Sequence, residues 1–178
     1  ATPPGPASTY PQFSSYLKNY QIKNLFRDID YMGGFSVEGA RVIGSGEANE
    51  NATLLIYKDE DLKFRIRSNA FRIKGDQITA YPASVSILVG TDSVFHPGMQ
   101  MSYFDDKRQV VMFRPESGLS QSPFFNGFHE IDMDCGALYW QLDSDTVNFE
   151  SEPGVSRVSK NSFTSNNYFT EYDFYRIQ

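Results

Sequence analysis

Cysteine is almost absent from this sequence, and long apolar runs are missing altogether. The single cysteine, Cys135, cannot form an internal disulfide, and no CxxC pair supplies the spacing of a structural zinc site. No apolar run approaches the roughly 18 residues that would predict a membrane span. Basic residues are also outnumbered, because 16 Lys and Arg face 22 Asp and Glu. The resulting net charge of -6 argues against a general nucleic-acid binder, which needs a basic footprint.

The residues that are present indicate a folded, strand-rich chain. Hydrophobic residues make up 40% and charged residues 21% of the 178 positions, a balance typical of globular proteins with a sizeable core. Phe and Tyr, numbering 15 and 11, favour the pleated, half-buried surfaces of strands. The chain starts with ATPPGPAS and without an initiator Met, so we expect a processed or excised piece of a longer protein.

The N-terminal residues divide into two predicted parts. Residues 1–12 are Pro-rich and predict an extended arm or linker, which would lie against its own domain or a neighbour. In the stretch PQFSSYLKNYQIKNLF, Phe13, Leu17 and Tyr20 recur at helical spacing and predict a short helical segment. We assign residues 13–178 to a single β-rich domain.

From Ile29 onward the apolar period becomes two. Strand-like runs such as LKFRIR, MQMSYF and VVMFR alternate with acidic or Gly turns such as KDED and GTDS. We therefore predict an all-β fold of many short antiparallel strands, arranged as a sandwich, a jelly roll or an open solenoid. The phase of each alternation also predicts which large side chains point into the core. These are Phe64, Ile66, Ile87, Met101, Tyr103, Met112, Leu138, Trp140 and Phe149.

His96 is one of only two histidines and is the first candidate for chemistry. A catalytic histidine needs a partner that sets its tautomer, and none is recognisable near it in the sequence. Pro97 and Gly98 follow it, and these residue types form turns. We therefore predict that His96 is structural, and that its imidazole lies at a strand bend within hydrogen-bond reach of the backbone or a polar group. The sequence suggests no catalytic residue, and an enzyme is the less favoured class.

Three carboxylates, Glu130, Asp132 and Asp134, alternate in FHEIDMDC and would share one face of a strand, roughly 6.5 to 7 Å apart. That spacing matches the carboxyl pair of inverting glycosidases, and stacked carboxylates are also suitable ligands for Ca²⁺. Against both stands the absence of an opposing acid and of an EF-hand loop. The third interpretation is an exposed acidic stripe that faces Lys or Arg on the next strand. Ca²⁺ at these residues is the one cofactor that the sequence suggests.

Basic residues concentrate between positions 63 and 74. This basic ribbon consists of Lys63, Arg65, Arg67, Arg72 and Lys74. The residues alternate with apolar ones, so they would point outward together. Such a ribbon could bind an anionic glycan, a lipid headgroup or an acidic protein, or it could pair with the acidic stripe of the same domain. It could also be a solvated face that blocks edge-to-edge aggregation.

Tyr139 and Trp140 are adjacent, so a strand would send them to opposite faces. Trp140 is in phase with Leu138 and therefore belongs to the predicted core. Tyr139 is in phase with Gln141 and would lie on a polar face, where an exposed aromatic ring is a candidate for sugar binding.

Several longer words of the sequence resemble a known group of proteins. The words YMGGFSVEGARVIGSG, DSVFHPGM, GLSQSPFFNGFHEIDM and ALYWQL are similar to segments of very large exported proteins of Bacteroidota. The resemblance covers residues 29–178 and includes no catalytic motif, so it assigns no role to any residue. It implies a fragment of a longer exported chain in a cell-envelope setting, whether periplasmic, associated with the outer membrane or secreted.

The function that these observations favour is a non-catalytic envelope or secreted β module with a structural or binding role. Its partners would be the flanking domains of the same longer chain, an envelope protein or an anionic glycan. The alternative is a carbohydrate-active domain, either a glycan-binding module or an inverting hydrolase that uses the carboxylates near Asp132. A hydrolase requires a cleft with a second acid from another strand, and a glycan binder requires exposed aromatic rings.

Overall fold

The computed structural model describes residues 12–17, 19–46, 50–115, 122–151 and 162–165. All regular structure in these ranges is β-strand, which confirms the predicted all-β class. The strands are β1 (Gln12–Ser14), β2 (Tyr20–Phe26), β3 (Ile29–Glu38), β4 (Arg41–Ser45), β5 (Ala52–Lys58), β6 (Asp61–Ser68), β7 (Ala70–Ile73), β8 (Gln77–Val89), β9 (Asp92–Phe104), β10 (Gln109–Phe113), β11 (Phe124–Asn126), β12 (Ile131–Asp134), β13 (Ala137–Gln141), β14 (Val147–Glu150) and β15 (Ser162–Ser165).

The strands form one antiparallel sheet. At most positions across this sheet, two short strands lie end to end in place of one long strand. Among the described strands, only β3, β8 and β9 are long enough to run through both halves of the sheet. In one half of the sheet these three strands pair with β2, β5, β6, β11, β12 and β15, and we call this half layer I. In the other half they pair with β1, β4, β7, β10, β13 and β14, and we call this half layer II.

The boundary between the layers is a line of interruptions that crosses the sheet. In β3 the partner changes from β5 to β4 at Gly33 and Gly34. In the β8–β9 pair the register shifts between Ala80 and Val85, around Pro82 and opposite Pro97 and Gly98. Gly and Pro mark bends and bulges in strands because Gly lacks a side chain and Pro cannot donate to the ladder. The sheet therefore changes direction along this line.

The two layers pack face to face. Phe64 on β6 stacks on Trp140 on β13, with ring centroids 4.3 Å apart and planes within 4°. In the order of the sheet, β6 and β13 are four strand spacings apart, and in a flat sheet the distance between them would be roughly 19 Å. The rings can touch only because the sheet folds over, and Phe26 of layer I likewise meets Tyr103 of layer II at 5.7 Å. One apolar cluster fills the space between the layers.

The predicted core is confirmed. The predicted residues other than Phe149 are buried, with Phe64, Ile66, Met101 and Tyr103 fully so. Phe149 is half-buried and packs against the same cluster. The alternation was a reliable guide because one face of each strand is covered by the opposite layer.

Two glycines make room for a buried tyrosine. The Tyr31 side chain is fully buried, and its hydroxyl donates a hydrogen bond to the Gly34 carbonyl at 2.5 Å. A Cβ at Gly33 or Gly44 would lie 2.5 or 2.6 Å from that hydroxyl oxygen, far inside van der Waals contact. Burial raises the pKa of Tyr31 to about 12. The glycines therefore allow the backbone to close around this ring.

The predicted N-terminal helical segment is wrong. The structure has strands β1 and β2 there, and both pair with β3. Phe13 and Tyr20 pack on Phe35, at 5.6 and 6.1 Å between ring centroids, so their apolar spacing serves the end of the sheet. Ser15 accepts the Phe35 N–H and donates to the Leu17 carbonyl, a side-chain pattern that competes with helix formation. Of the predicted Pro-rich arm, residues 1–11 lie outside the described residues, and Gln12 belongs to β1.

Candidate binding surface

The basic ribbon lies on the outer face of the folded sheet. Arg65 and Arg67 on β6 alternate with the fully buried Phe64 and Ile66, as predicted. Arg72 on β7 and Lys74 just beyond it continue the ribbon past the layer boundary. Arg67, Arg72 and Lys74 are exposed, and Lys63 and Arg65 are half-buried. The ribbon therefore follows β6 and β7, which lie end to end, and extends from layer I into layer II.

Most of the ribbon lacks a counter-charge among the residues that the structure describes. Lys63 forms an ion pair with Asp61 at 3.2 Å. In the part of the chain that the structure describes, Arg65, Arg67, Arg72 and Lys74 form none. Their cross-strand neighbours are small, apolar or hydroxyl side chains, since Leu55 and Ser86 flank Arg65, and Thr53 and Ser84 flank Arg67. Such neighbours leave the guanidinium groups open to an external anion.

A groove widens the basic surface at the layer II end of the ribbon. It has a volume of about 420 Å³ and is lined by Arg72 and Lys74 together with Arg41 at the start of β4. Its apolar part consists of Ala40, Val42, Ile43 and Ile73. Three cations therefore surround a partly apolar groove at the outer surface.

The suggestion that the ribbon pairs with the acidic stripe is wrong. Arg65 on β6 and Asp132 on β12 lie four strands apart on the outer face, and no ion pair joins the two side chains. Asp134 instead forms an ion pair with Arg114 at 2.5 Å. Glu130 lies outside β12, in a turn with a φ of 52°. Only Asp132 and Asp134 share a strand, so the strand-based grouping of all three acids is not observed.

The arrangement of these acids bears on hydrolysis and metal binding. The cross-strand neighbours of Asp132 are Phe125 and Thr164, so no carboxylate stands opposite it. None of the three acids lines the grooves beside Arg41, Trp140 or Tyr81. Among the described residues, no three His, Cys, Asp or Glu side chains lie close enough together to hold a metal ion. The suggested Ca²⁺ site is therefore not assembled in these ranges.

His96 lies at the bend of β9, as predicted. It is fully buried, and its Nδ1 accepts the Gly98 N–H at 3.1 Å. Nε2 therefore carries the proton and donates to the Ser122 carbonyl at 2.8 Å. The ring also packs on Phe124, with centroids 4.7 Å apart. These contacts make His96 a bridge between the β9 bend and the residues that precede β11.

Tyr139 lies on the outer face as predicted, but it is half-buried. Its ring meets Phe113 edge-on at 5.9 Å between centroids. Burial, and then the nearby Glu150 carboxylate, raise the pKa of the Tyr139 hydroxyl. The face of this ring is less available to a ligand than an isolated exposed aromatic ring would be.

Sequence reasoning missed a pair of exposed aromatic rings on layer I. Phe95 on β9 and Phe125 on β11 are direct cross-strand partners and remain 40% and 42% exposed. The available signal was the phase of β9, because Phe95 falls between Val94 and His96, which are both buried. The pairing of β9 with β11 was not visible in the sequence.

Comparisons with known proteins place the chain in no family. No family model matches it, and no curated protein matches its sequence. Among solved structures it is similar to LptH of Pseudomonas aeruginosa, the LptA-homologous periplasmic component of the lipopolysaccharide transport device. The identity is 11% and the TM-score 0.47, over 90% of this chain and 98% of that chain. No residue role is transferred from this similarity.

Helices of membrane-spanning length and hydropathy are absent from the ranges that the structure describes.

Proposed function

We propose that the chain is a non-catalytic β module of the cell envelope that binds an anionic partner through its basic ribbon. The observation that carries the proposal is a set of four cations on the outer face along β6 and β7, namely Arg65, Arg67, Arg72 and Lys74. None of the four forms an ion pair with a described residue. Unpaired cations on a rigid sheet attract an anion without first breaking an internal salt bridge. We infer the envelope setting from the words of the sequence that resemble exported proteins.

The physical case for binding rests on the identity and placement of the cations. Arginine presents a planar fork that holds a carboxylate or phosphate with two parallel hydrogen bonds. Arg65 and Arg67 project from the same face of one strand, so their positions are fixed by the β5–β6–β8 pairing. The sheet therefore holds the Cα atoms of these two arginines about 7 Å apart, at alternate positions along β6.

Hydrolysis is the less favoured function. An inverting hydrolase needs two carboxyl groups on opposite sides of the scissile bond. Asp132 faces Phe125 and Thr164 across the adjoining strands, and the acids near it lie on an open sheet face. A binding role therefore agrees better with the geometry than a catalytic one.

The test compares the parent with the double variant Arg65→Ser, Arg67→Ser in calorimetric titrations with linear polyphosphate and with hyaluronan oligosaccharides. We expect the double variant to bind both about tenfold more weakly at low salt, because two exposed charge contacts together contribute ~1–2 kcal/mol. The difference should diminish as the salt concentration rises, since the Debye length falls from about 10 Å at 0.1 M to 3 Å at 1 M.

The matched control is Lys23→Ser, Arg27→Ser, which changes the net charge equally but removes exposed cations from β2 and its following turn. This control should bind like the parent. If the parent binds neither polyanion, or if both double variants lose affinity equally, the ribbon is not a binding site.

A further inference from the structure

One row of cross-strand partners on the outer face of layer I joins the basic ribbon to the exposed aromatic pair. On β3, β5, β6, β8, β9, β11 and β12 the inner-face residues are buried or partly buried, so the row members on these strands point outward, whereas all four residues of β15 are exposed. In order across the sheet, the row is Asp30, Leu55, Arg65, Ser86, Phe95, Phe125, Asp132 and Thr164.

The row has three chemically distinct parts. Arg65 supplies a guanidinium that forms no ion pair with any described residue, and the small side chain of Ser86 follows it on β8. Phe95 and Phe125 then present two half-exposed rings on adjacent strands. Beyond them, Asp132 supplies hydrogen-bond acceptors and has no ion pair in the described part of the chain. A ligand lying across the strands would meet a cation, an aromatic platform and an acceptor in turn.

The spacing suits an extended ligand. Arg65 and Phe95 are two strand spacings apart, which is about 10 Å, and Phe125 is one spacing further. The face of an aromatic ring carries partial negative charge and attracts C–H groups that carry partial positive charge, such as those on the flat side of a sugar ring. A few linked sugar rings span this distance, and a carboxylate on one of them would reach Arg65.

We propose that the Arg65–Asp132 row is a binding site for an acidic oligosaccharide that lies across the strands of layer I. Phe95 and Phe125 stack against sugar rings, Arg65 binds the acid group, and Asp132 accepts hydrogen bonds from sugar hydroxyls. This inference rests on the proposed function, because it uses one cation of the basic ribbon. It goes further by naming the ligand class and the residues that distinguish a sugar from other polyanions.

The chemistry favours a saccharide over a uniformly charged polymer. A polymer with charge at every unit would meet the Asp132 carboxylate at the far end of the row, and like charges repel. A saccharide in which acidic and neutral rings alternate can place its acid at Arg65 and its hydroxyls at Asp132. A lipid surface would contact the two Phe rings but would gain nothing from the acceptor beside them.

The experiment uses the variant Phe95→Ser, Phe125→Ser beside Arg65→Ser, Arg67→Ser. The matched control is Phe128→Ser, which removes a 65% exposed Phe from the turn after β11. Each is titrated with hyaluronan oligosaccharides, linear polyphosphate and phosphatidylglycerol vesicles, after circular dichroism has established that the strands are retained. We expect the aromatic double variant to bind hyaluronan about tenfold more weakly, a difference of ~1.4 kcal/mol. It should bind polyphosphate as the parent does.

The two proposals fail in different ways. If polyphosphate binding depends on Arg65 and Arg67 while hyaluronan binding is unaffected by loss of the Phe pair, the ribbon is a binding site but the aromatic platform is not. If loss of the Phe pair weakens vesicle binding and leaves hyaluronan binding intact, the rings contact a lipid surface and the saccharide site is refuted. If Phe128→Ser weakens hyaluronan binding equally, the effect is not specific to the row.

Discussion

Replacing Trp140 by Ala tests whether the two layers are held together by their central aromatic contact. Trp140 is 3% exposed and stacks on Phe64 of the opposite layer at 4.3 Å. Its indole N–H donates to the Ser144 carbonyl at 3.1 Å, so the polar end of the ring is also satisfied. The substitution removes the stack and the hydrogen bond, and it leaves a cavity between the layers.

The expected cost follows from the burial of the ring. Truncating a fully buried Trp to Ala lowers the free energy of unfolding by ~3–5 kcal/mol, because apolar contact is lost and the cavity is only partly refilled. In a chain of this length each kcal/mol lowers the melting temperature by about 2–4 °C, so we expect a decrease of roughly 6–20 °C. Trp140→Phe keeps a ring against Phe64 and should cost less.

Far-UV circular dichroism with guanidinium as denaturant is the suitable assay, because Trp140 is the only tryptophan and its fluorescence is lost in the variant. The midpoint should fall while the denaturant slope stays constant, which indicates a change in stability alone. A cycle with Phe64→Leu should give a coupling energy of about 0.5–1.5 kcal/mol for the stacked pair.

The control for Trp140 is Phe128→Ala, since Phe128 is 65% exposed and its loss should change stability by less than about 0.5 kcal/mol. A loss below about 1 kcal/mol for Trp140→Ala, with an unchanged slope, would refute the face-to-face packing of the layers.

Two further predictions concern the Tyr31 niche and the buried thiol. Gly44→Ala would place a Cβ about 2.6 Å from the Tyr31 hydroxyl, so we expect the urea midpoint to show a loss of ~1–3 kcal/mol, whereas Gly75→Ala, with open space around it, should show none. Equal midpoints for the two variants would contradict the niche. Cys135 is 1% exposed and burial raises its thiol pKa, so we expect it to react with a disulfide reagent at pH 8 only after denaturant is added. Rapid reaction of the native protein would show that the β12–β13 junction opens.

The strands and their inward faces could be predicted locally because side-chain direction on a strand has a period of two. Phe64, Met101 and Trp140 were assigned correctly for this reason. The helical spacing of Phe13 and Tyr20 led to a wrong prediction, because these residues lie on two different strands and both pack on Phe35. A periodicity over a short segment does not distinguish a helix face from contacts made with another part of the sheet.

The amino-acid sequence by itself determined the all-β class, the outward direction of the basic ribbon and the position of His96 beside a bend. Each depends on residue type and near neighbours along the chain. Only the tertiary structure decided which strands are adjacent. It placed Asp132 four strands from Arg65 instead of beside it, and it brought Phe95 against Phe125 across a long separation in the chain. Strand pairing is set by how the layers fold over one core, and that non-local condition leaves no mark on the spacing of any single segment.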